Sequence, residues 1–357
     1  MGSVQDSAAM LRWPRVCVVG NFPPPGAGGL PSQGELLAHQ LEGSGASVTL
    51  LSTHRTRPAR LVDVMTHLMG TGRRWDTYCI QVFTFRATVV EMLALLAGKL
   101  WRRRTVLVMR DGRLIQTLDR WPALAAVYRR ADAIVFPSEY LAQGLKHHRL
   151  EGFTIPNVIS LERYPFRPRE RLRPRLLFMR TFHPLYNPLL ALHTFQIIKA
   201  RYADAELTLA GMDRNYMEEV QRVSRAMGLD GVYFMGFVDK ERVPALMGEH
   251  DIYLNTPHID NTPVSVLEAL ACGLPVVATR VGGVPYLLAD GENALLVPDD
   301  DAQAMARAVQ RLLEDPGLAG HLSRRGRLLA ESFTWENVRE AWRAALTGPL
   351  SCEPANA

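Results

Sequence analysis

The chain has 357 residues, of which 47% are hydrophobic and 22% are charged, and its formal net charge is +5. This length exceeds what one hydrophobic core usually serves, so we expect two domains. The composition excludes fibrous and disordered classes, and no stretch reaches the roughly 18 uncharged apolar residues of a membrane-spanning helix. The N-terminus lacks an apolar signal core, and we therefore expect a cytoplasmic protein.

Short apolar runs alternate with longer helix-like segments along the chain. In the first half they occupy residues 16–19, 48–51, 78–82, 105–109 and 133–136, and in the second half 176–179, 207–210, 232–235, 252–255, 275–278 and 294–297. This alternation predicts an α/β fold with buried parallel sheets.

The Pro- and Arg-rich segment 162–175 separates the two sets of runs and is interpreted as a linker. We therefore predict an N-terminal Rossmann-like domain over 1–166 and a C-terminal one over 174–333. Doubly wound domains bind ligands at the carboxyl ends of their strands, which predicts a site in a central cleft. A last helix, within 334–357, is expected to pack back toward the N-terminal domain, and its aromatic residues are interpreted as packing.

The four cysteines are too widely spaced for a zinc site or a disulfide framework. They are Cys17, Cys79, Cys272 and Cys352. Cys17 and Cys79 lie in apolar strand-like runs, where a reduced cysteine behaves as a small core residue.

The positive charge is concentrated in the first half, where residues 1–170 hold 22 Lys and Arg against 13 Asp and Glu. This asymmetry indicates an anionic partner, although an Arg-rich solvated surface gives the same pattern. Residues 91–104 (EMLALLAGKLWRRR) join an apolar run to a basic cluster and predict peripheral contact with anionic lipid. A core helix with a solvated cationic end is the alternative. We expect no nucleic-acid partner.

The segment 260–279 (DNTPVSVLEALACGLPVVAT) follows a predicted strand. Ser265 and Glu268 have the spacing of a capping box, which predicts a helix that begins near Ser265 with free backbone amides suited to a diphosphate. Asp260 and Glu268 bracket the turn, and a carboxylate suits the hydroxyls of a ribose. The alternative is that Glu268 only caps its helix and Asp260 only closes a turn.

This segment, followed by the Gly282-Gly283 turn and by DGENALLV at 290–297, resembles the signature of glycosyltransferase family 4. The resemblance covers most of 174–347 and, more weakly, 16–165. It implies the GT-B fold and retaining transfer of a sugar from a nucleotide diphosphate. It also implies that Glu268 binds the ribose and that Asp260, where the family usually has Glu, contacts sugar hydroxyls. The residues implied to hold the diphosphate and the sugar are Asn261, Thr262, Pro263, Val264 and Ser265.

Residues 178–187 (FMRTFHPLYN) follow the first strand of the second domain. The family commonly has an Arg here and a Lys five residues later, and these cations neutralise the leaving diphosphate. Arg180 matches the Arg, whereas Leu185 occupies the Lys position. Arg180 is therefore predicted to be catalytic together with Asp260 and Glu268, and Asn187 is predicted to assist donor binding.

In the first domain the resemblance places Gly28 and Gly29 beside the donor, since glycine lets the backbone approach a phosphate closely. An ordinary loop is the alternative. Arg110 and Asp111 follow the fourth strand, so we predict that they lie on the acceptor side.

These features together predict a hexosyltransferase that acts on a hydroxyl of a glycan, a lipid-linked saccharide or a small molecule. We expect no metal and no other cofactor, because Arg180 and the helix N-terminus can supply the charge that an ion would bring. Two alternatives remain: a nucleotide-sugar epimerase of the same fold, and a non-catalytic regulatory partner that binds nucleotide sugars. If the chain contacts a membrane, we expect it at the inner face.

Overall fold

In the computed structural model, which describes residues 13–20, 22, 32–51, 57–83 and 88–348, the chain divides into two α/β units. The first unit contains the chain up to Pro156 together with the residues from Val338 onward, and the second contains Asn157–Asn337. The described residues form one six-stranded parallel sheet in each unit.

The first sheet has the strand order β2-β1-β3-β4-β5-β6. Its strands are β1 (Val16–Val19), β2 (Val48–Leu51), β3 (Thr77–Val82), β4 (Arg104–Met109), β5 (Ala133–Phe136) and β6 (Phe153–Thr154). The helices between them are α1 (Gln33–Gly43), α2 (Arg57–Thr71), α3 (Thr88–Leu100), α4 (Leu114–Arg120), α5 (Pro122–Tyr128) and α6 (Glu139–Leu145). Every residue of β1 and β3 is buried, because a parallel sheet is covered on both faces.

The second sheet has the strand order β12-β11-β10-β7-β8-β9. Its strands are β7 (Arg175–Met179), β8 (Glu206–Ala210), β9 (Val232–Gly236), β10 (Ile252–Asn255), β11 (Val276–Thr279) and β12 (Leu295–Val297). The helices are α7 (Pro188–Arg201), α8 (Met217–Ala226), α9 (Val243–Glu249), α10 (Val264–Ala271), α11 (Val284–Leu287), α12 (Ala302–Glu314), α13 (Pro316–Glu331) and α14 (Trp335–Thr347), the last of which continues into the first unit. Strand order changes direction between β7 and β10, whose carboxyl ends are therefore neighbours.

The predicted parallel α/β architecture is confirmed, and each predicted apolar run overlaps a strand. The two-residue strand β6 was not predicted, because two residues cannot show a periodic pattern. Cys17, Cys79 and Cys272 are buried, as predicted for Cys17 and Cys79, and burial raises the pKa of the Cys79 thiol to about 12. Cys352 lies outside the described residues.

The segment 157–173 belongs to the second unit and contacts the rest of that unit along its length. The amide of Ile159 donates to the carbonyl of Phe333 at 2.9 Å. The buried Arg169 guanidinium donates to backbone carbonyls, including that of Met247 at 2.9 Å. Arg173 forms an ion pair with Asp251 at 2.9 Å. The division between the units therefore precedes the segment that was predicted to be a linker.

Helix α14 carries the aromatic stripe that the sequence indicates, and Trp335, Val338 and Trp342 are all buried. Near the end of the helix, the carbonyl of Leu346 accepts a hydrogen bond from Thr77 Oγ1 at 2.9 Å. The stripe is packing, as predicted. Within the described part of the chain, no helix has both the length and the apolar character needed to cross a membrane.

Candidate active site

Arg180 and Asp260 meet at the carboxyl ends of β7 and β10. Arg180 follows β7 directly, and its Nη2 lies 2.7 Å from Asp260 Oδ2, with each side chain about nine-tenths buried. Burial lowers the pKa of Arg180, but Asp260, Tyr186 and Tyr253 together outweigh burial, and the pKa lies above its ordinary value. The guanidinium also stacks on the ring of Tyr186, 4.3 Å from its centroid.

The two oxygens of the Asp260 carboxylate have different surroundings. Its Oδ1 accepts from the amide of Asn261 at 2.9 Å. Its Oδ2 is buried and receives no well-directed hydrogen bond, although Arg180 is close, because the guanidinium N–H bonds do not point at it. A buried acceptor in this condition has unused capacity for a hydroxyl donor.

Helix α10 begins at Val264, and the predicted capping box is wrong. Its N-cap is Pro263, which makes no side-chain cap. Ser265 is therefore already in the first turn, and its Oγ accepts from Arg180 Nη1 at 3.2 Å. The S-x-x-E spacing predicted a capping box, but the Glu268 side chain bonds to Tyr164 instead. The amides of Val264 and Ser265 make no hydrogen bond to another described residue, as helix geometry requires of a first turn.

The other predicted donor residues surround this turn. Asn261, Thr262 and Pro263 are buried, and Thr262 O accepts from Asn157 Nδ2 at 3.5 Å. The Gly282-Gly283 turn packs directly on the same loop, and the amide of Gly283 donates to Asp260 O at 2.8 Å. A Cβ on Gly283 would lie 2.0 Å from Asn261 O. Only glycine fits here, which explains the Gly-Gly pair of the motif in physical terms.

Glu268 is buried and is held by a residue that sequence reasoning missed. Tyr164 Oη donates to Glu268 Oε1 at 2.6 Å. Burial raises the pKa of Glu268, and the hydrogen bond from Tyr164 opposes that rise. Lys240 lies near enough for its charge to stabilise the Glu268 carboxylate, while its own pKa is lowered by burial.

Asn187 occupies a structural position beside the Arg180 loop. It adopts a left-handed conformation at the N-cap of α7, where its side chain accepts from the amide of Leu190 at 3.2 Å. Its Nδ2 donates to Asp300 Oδ1 at 2.9 Å. His183 likewise accepts from the amide of Leu185 at 3.1 Å. Both side chains order the segment that carries Arg180.

The acidic run 299–301 has a formal Asp-x-Asp spacing that the sequence reasoning passed over. Asp299 pairs with His258 at 3.0 Å, Asp300 accepts from Asn187, and Asp301 caps α12 through the amide of Ala304 at 2.7 Å. Each carboxylate is engaged in local structure, so this run does not resemble a free metal-binding pair.

The sequence also indicates four candidate residues in the first unit. Gly28 and Gly29 lie outside the described residues. Arg110 is directed inward, and its Nε donates to the buried Gln81 Oε1 at 2.7 Å, while burial lowers its pKa to about 10. Asp111 accepts from the amide of Arg113 at 2.9 Å and pairs with its guanidinium. Both residues therefore contribute to the local structure between β4 and α4.

Four aromatic and basic residues near the site were not predicted from the sequence. Tyr186 stacks on Arg180, and Tyr253 Oη donates to Met179 O at 3.0 Å beside Ser265. Lys240 follows β9. Tyr186 was a neighbour of predicted residues and could have been found from its position. Tyr164 and Lys240 come from distant segments, and nothing in their local pattern indicates a site.

Residues 173–315 match the family model described as "Glycosyl transferases group 1". The segment is therefore similar to this family over less than half of the chain. It contains Arg180, Asp260, Glu268 and the Gly282-Gly283 turn, which are the residues that carried the resemblance in sequence.

Curated relatives of the group 1 domain match over part of their length. A D-inositol 3-phosphate glycosyltransferase from Arthrobacter sp. strain FB24 is 29% identical over 198 residues, which cover 51% of this chain and 47% of that protein. A GDP-mannose-dependent alpha-(1-6)-phosphatidylinositol monomannoside mannosyltransferase from Mycolicibacterium smegmatis is 26% identical over 242 residues, covering 60% and 61%. The chain thus spans less than two thirds of the length of these relatives.

Solved structures establish the fold over nearly the whole chain. Sucrose-phosphate synthase from Thermosynechococcus elongatus aligns with a TM-score of 0.73 at 18% identity, covering 92% of this chain and 97% of that one. HepE from Anabaena, solved in complex with UDP-glucose, aligns with a TM-score of 0.73 at 16% identity, covering 94% and 100%. The predicted GT-B fold is therefore confirmed.

Proposed function

We propose that the chain is a retaining hexosyltransferase that takes its sugar from a nucleoside diphosphate donor. The observation that carries this proposal is the cluster at the start of α10, where the ion pair of Arg180 with Asp260 Oδ2 lies beside the amides of Val264 and Ser265. A cation and first-turn amides favour a diphosphate, and a buried carboxylate favours a sugar hydroxyl. The group 1 domain match and the glycosyltransferase names of the relatives support the same class.

In this mechanism the protein stabilises the departing phosphate. As the glycosidic C–O bond breaks, negative charge grows on the β-phosphate oxygen, and Arg180 and the α10 amides meet it in the transition state. The acceptor hydroxyl attacks from the face that the phosphate leaves, and that phosphate takes the hydroxyl proton. The anomeric configuration is retained, and no protein side chain is required as the base.

Donor binding can be measured without knowing the acceptor, so the donor is identified first. Sugar nucleotides with different bases are screened by thermal shift, since a ligand that binds the folded chain raises its melting temperature. Glu268→Gln should abolish the shift, because the amide cannot accept both ribose hydroxyls. Glu218→Gln, the same change at an exposed glutamate of the same unit, should leave the shift intact. A Glu268→Gln protein that still responds fully would contradict the proposed donor site.

Turnover with the identified donor then tests the reaction class. Product analysis should show the anomeric configuration of the donor, and a chelator should leave the rate unchanged, because we propose no catalytic metal. Conversion of the donor in the absence of any acceptor would indicate an epimerase instead. Donor binding without hydrolysis or transfer in any acceptor mixture would indicate a regulatory partner.

We also propose that the first unit binds an anionic membrane surface through α3, bringing a lipid-linked acceptor within reach. One face of α3 is buried, and the other exposes Val89, Leu96 and Leu100 at 61%, 53% and 68%. At 3.6 residues per turn these three lie within an arc of about 40°. Exposed arginines flank the stripe: Arg102 follows α3, and Arg73 and Arg74 lie in the 3₁₀ turn after α2. Arg73 stacks on Trp101 at 4.5 Å, which joins these cations to the apolar stripe.

Vesicle cosedimentation tests this surface. The chain should sediment with vesicles that contain anionic phospholipid and not with purely zwitterionic ones, since both the apolar stripe and the cations are needed. The double variant Leu96→Gln, Leu100→Gln should lose most of this binding. Leu328→Gln, a change at a leucine that is 56% exposed in the second unit, serves as the control. Equal binding of wild type and the double variant would rule out α3 as the contact.

A further inference from the structure

Two histidines and an aspartate converge on the surface of the first unit. Asp119 lies near the end of α4, and His147 and His148 lie in a 3₁₀ turn that follows α6. Both His Nε2 atoms approach the same carboxylate oxygen, Asp119 Oδ1, at 2.7 Å and 2.9 Å. One potential ligand atom from each residue lies within 4.8 Å of the others.

The chemistry of these three groups is that of a zinc site. Imidazole nitrogen and carboxylate oxygen are ordinary zinc ligands, and three protein ligands leave a fourth position for water. To bind a metal ion, each imidazole must offer the lone pair of its Nε2 atom, so an Nε2 that donates a hydrogen bond to Asp119 must first give up that proton.

The geometry needs a small adjustment that the exposure of the side chains allows. Tetrahedral zinc with bonds of about 2.0–2.1 Å separates its ligand atoms by about 3.3 Å. The Asp119 oxygen must therefore move by about half an ångström from each imidazole. The His147 and Asp119 side chains are 56% and 49% exposed and can move, whereas His148 is 11% exposed and is anchored where Arg129 donates to its carbonyl at 2.8 Å.

We propose that Asp119, His147 and His148 bind one divalent transition-metal ion of the zinc type. The ion would join α4 to the turn after α6 and stabilise the first unit. This site uses none of the residues proposed for sugar transfer, so it is independent of the proposed function. The flanking cations Lys146 and Arg149 repel a metal ion and reduce the expected affinity of the site. Imidazole ligands favour zinc over a hard alkaline-earth ion, which bonds weakly to nitrogen.

Calorimetric titration of the full chain, free of any polyhistidine tag, with Zn²⁺ tests this site. We expect the wild type to bind one Zn²⁺ ion per chain at this site. In His147→Ala and in Asp119→Asn that binding should be lost, or its affinity should fall at least about tenfold. His39→Ala, at an exposed histidine of the same unit, should bind as the wild type does. Zn²⁺ should also raise the melting temperature of the wild type and not of the two site variants, and Mg²⁺ should raise neither.

Two results would overturn the proposal: no zinc binding by the wild type, or the same stoichiometry and affinity in the site variants as in His39→Ala. The second result would place the ion on other ligands. Because His147 and Asp119 are exposed, both variants should fold, and their metal-free melting temperatures verify this. A chelator should lower the melting temperature of the zinc-loaded chain without reducing sugar transfer, which separates this site from the proposed reaction.

Discussion

Glu91 gives the first unit a stability that depends on pH in a calculable way. It lies in the first turn of α3 and is 2% exposed. Its Oε1 accepts from the amide of Phe83 at 2.8 Å and its Oε2 accepts from Tyr128 Oη at 3.2 Å. Burial raises its pKa from 4.5 to about 7, because these two hydrogen bonds do not replace the lost hydration.

The sign follows from the direction of this shift. The folded chain holds the proton more tightly than the unfolded chain does, so the stabilisation is complete below pH 4.5 and is lost as the pH rises through about 7. At about 1.4 kcal/mol per pKa unit, the loss amounts to about 3 kcal/mol. Glu91→Gln removes the ionisation and keeps an oxygen that can accept from Phe83. We therefore expect the variant to gain stability relative to wild type between pH 5 and pH 8.

Urea unfolding followed by tryptophan fluorescence reports mainly on the first unit, which contains Glu91. Five of the six tryptophans belong to the first unit: Trp13, Trp75, Trp101, Trp121 and Trp342. The difference in unfolding free energy between Glu91→Gln and wild type should rise by about 2.5 kcal/mol from pH 5 to pH 8, because a small part of the loss occurs below pH 5. Glu139→Gln, at an exposed glutamate, should show no such rise. A pH-independent difference for Glu91→Gln would refute the reasoning.

Four further changes probe the second unit. Gly283→Ala should lower both melting temperature and donor binding, because its Cβ meets Asn261 O, while Gly248→Ala, which lies in α9 and meets no atom within 4 Å, should lower neither. Tyr164→Phe should cost about 1–3 kcal/mol of stability in urea, since it leaves a buried carboxylate underbonded, and a silent variant would show that this bond contributes nothing. Arg180→Lys should reduce kcat by roughly 10²–10³-fold in steady-state assays, because a lysine ammonium has no planar face to stack on Tyr186 and cannot form paired hydrogen bonds with a phosphate. Leu185→Lys, which supplies the second cation implied by the family resemblance, should tighten donor binding in calorimetry, and weaker binding would show that the loop does not direct this residue at the donor.

The sequence predicted the sheets well because parallel strands buried on both faces are nearly continuous apolar runs. The run 252–255 coincides with β10, and 133–136 coincides with β5. The helix after Asp260 was also predicted within one residue of its start. Its cap was not, because S-x-x-E describes a local hydrogen-bonding option, and Glu268 instead bonds to Tyr164, about 100 residues earlier in the chain. Long-range partners of this kind leave no periodic signal.

The missing cation at position 185 changes how the site must work. The Arg180 charge is partly offset by Asp260, so the pair alone offers little net attraction to a diphosphate. The contribution of Arg180 depends on its position. Tyr186 and Ser265 hold the guanidinium at the start of α10, where the helix amides add their own positive potential. A fixed guanidinium costs little reorganisation as charge develops, whereas a lysine on a flexible stem must be ordered first. If a donor hydroxyl bonds to Asp260 Oδ2, the aspartate shares its charge with the sugar, and more of the Arg180 charge becomes available to the leaving phosphate. Sugar binding and phosphate stabilisation are then coupled through a single ion pair, so Asp260→Asn should weaken discrimination between sugars and also slow transfer.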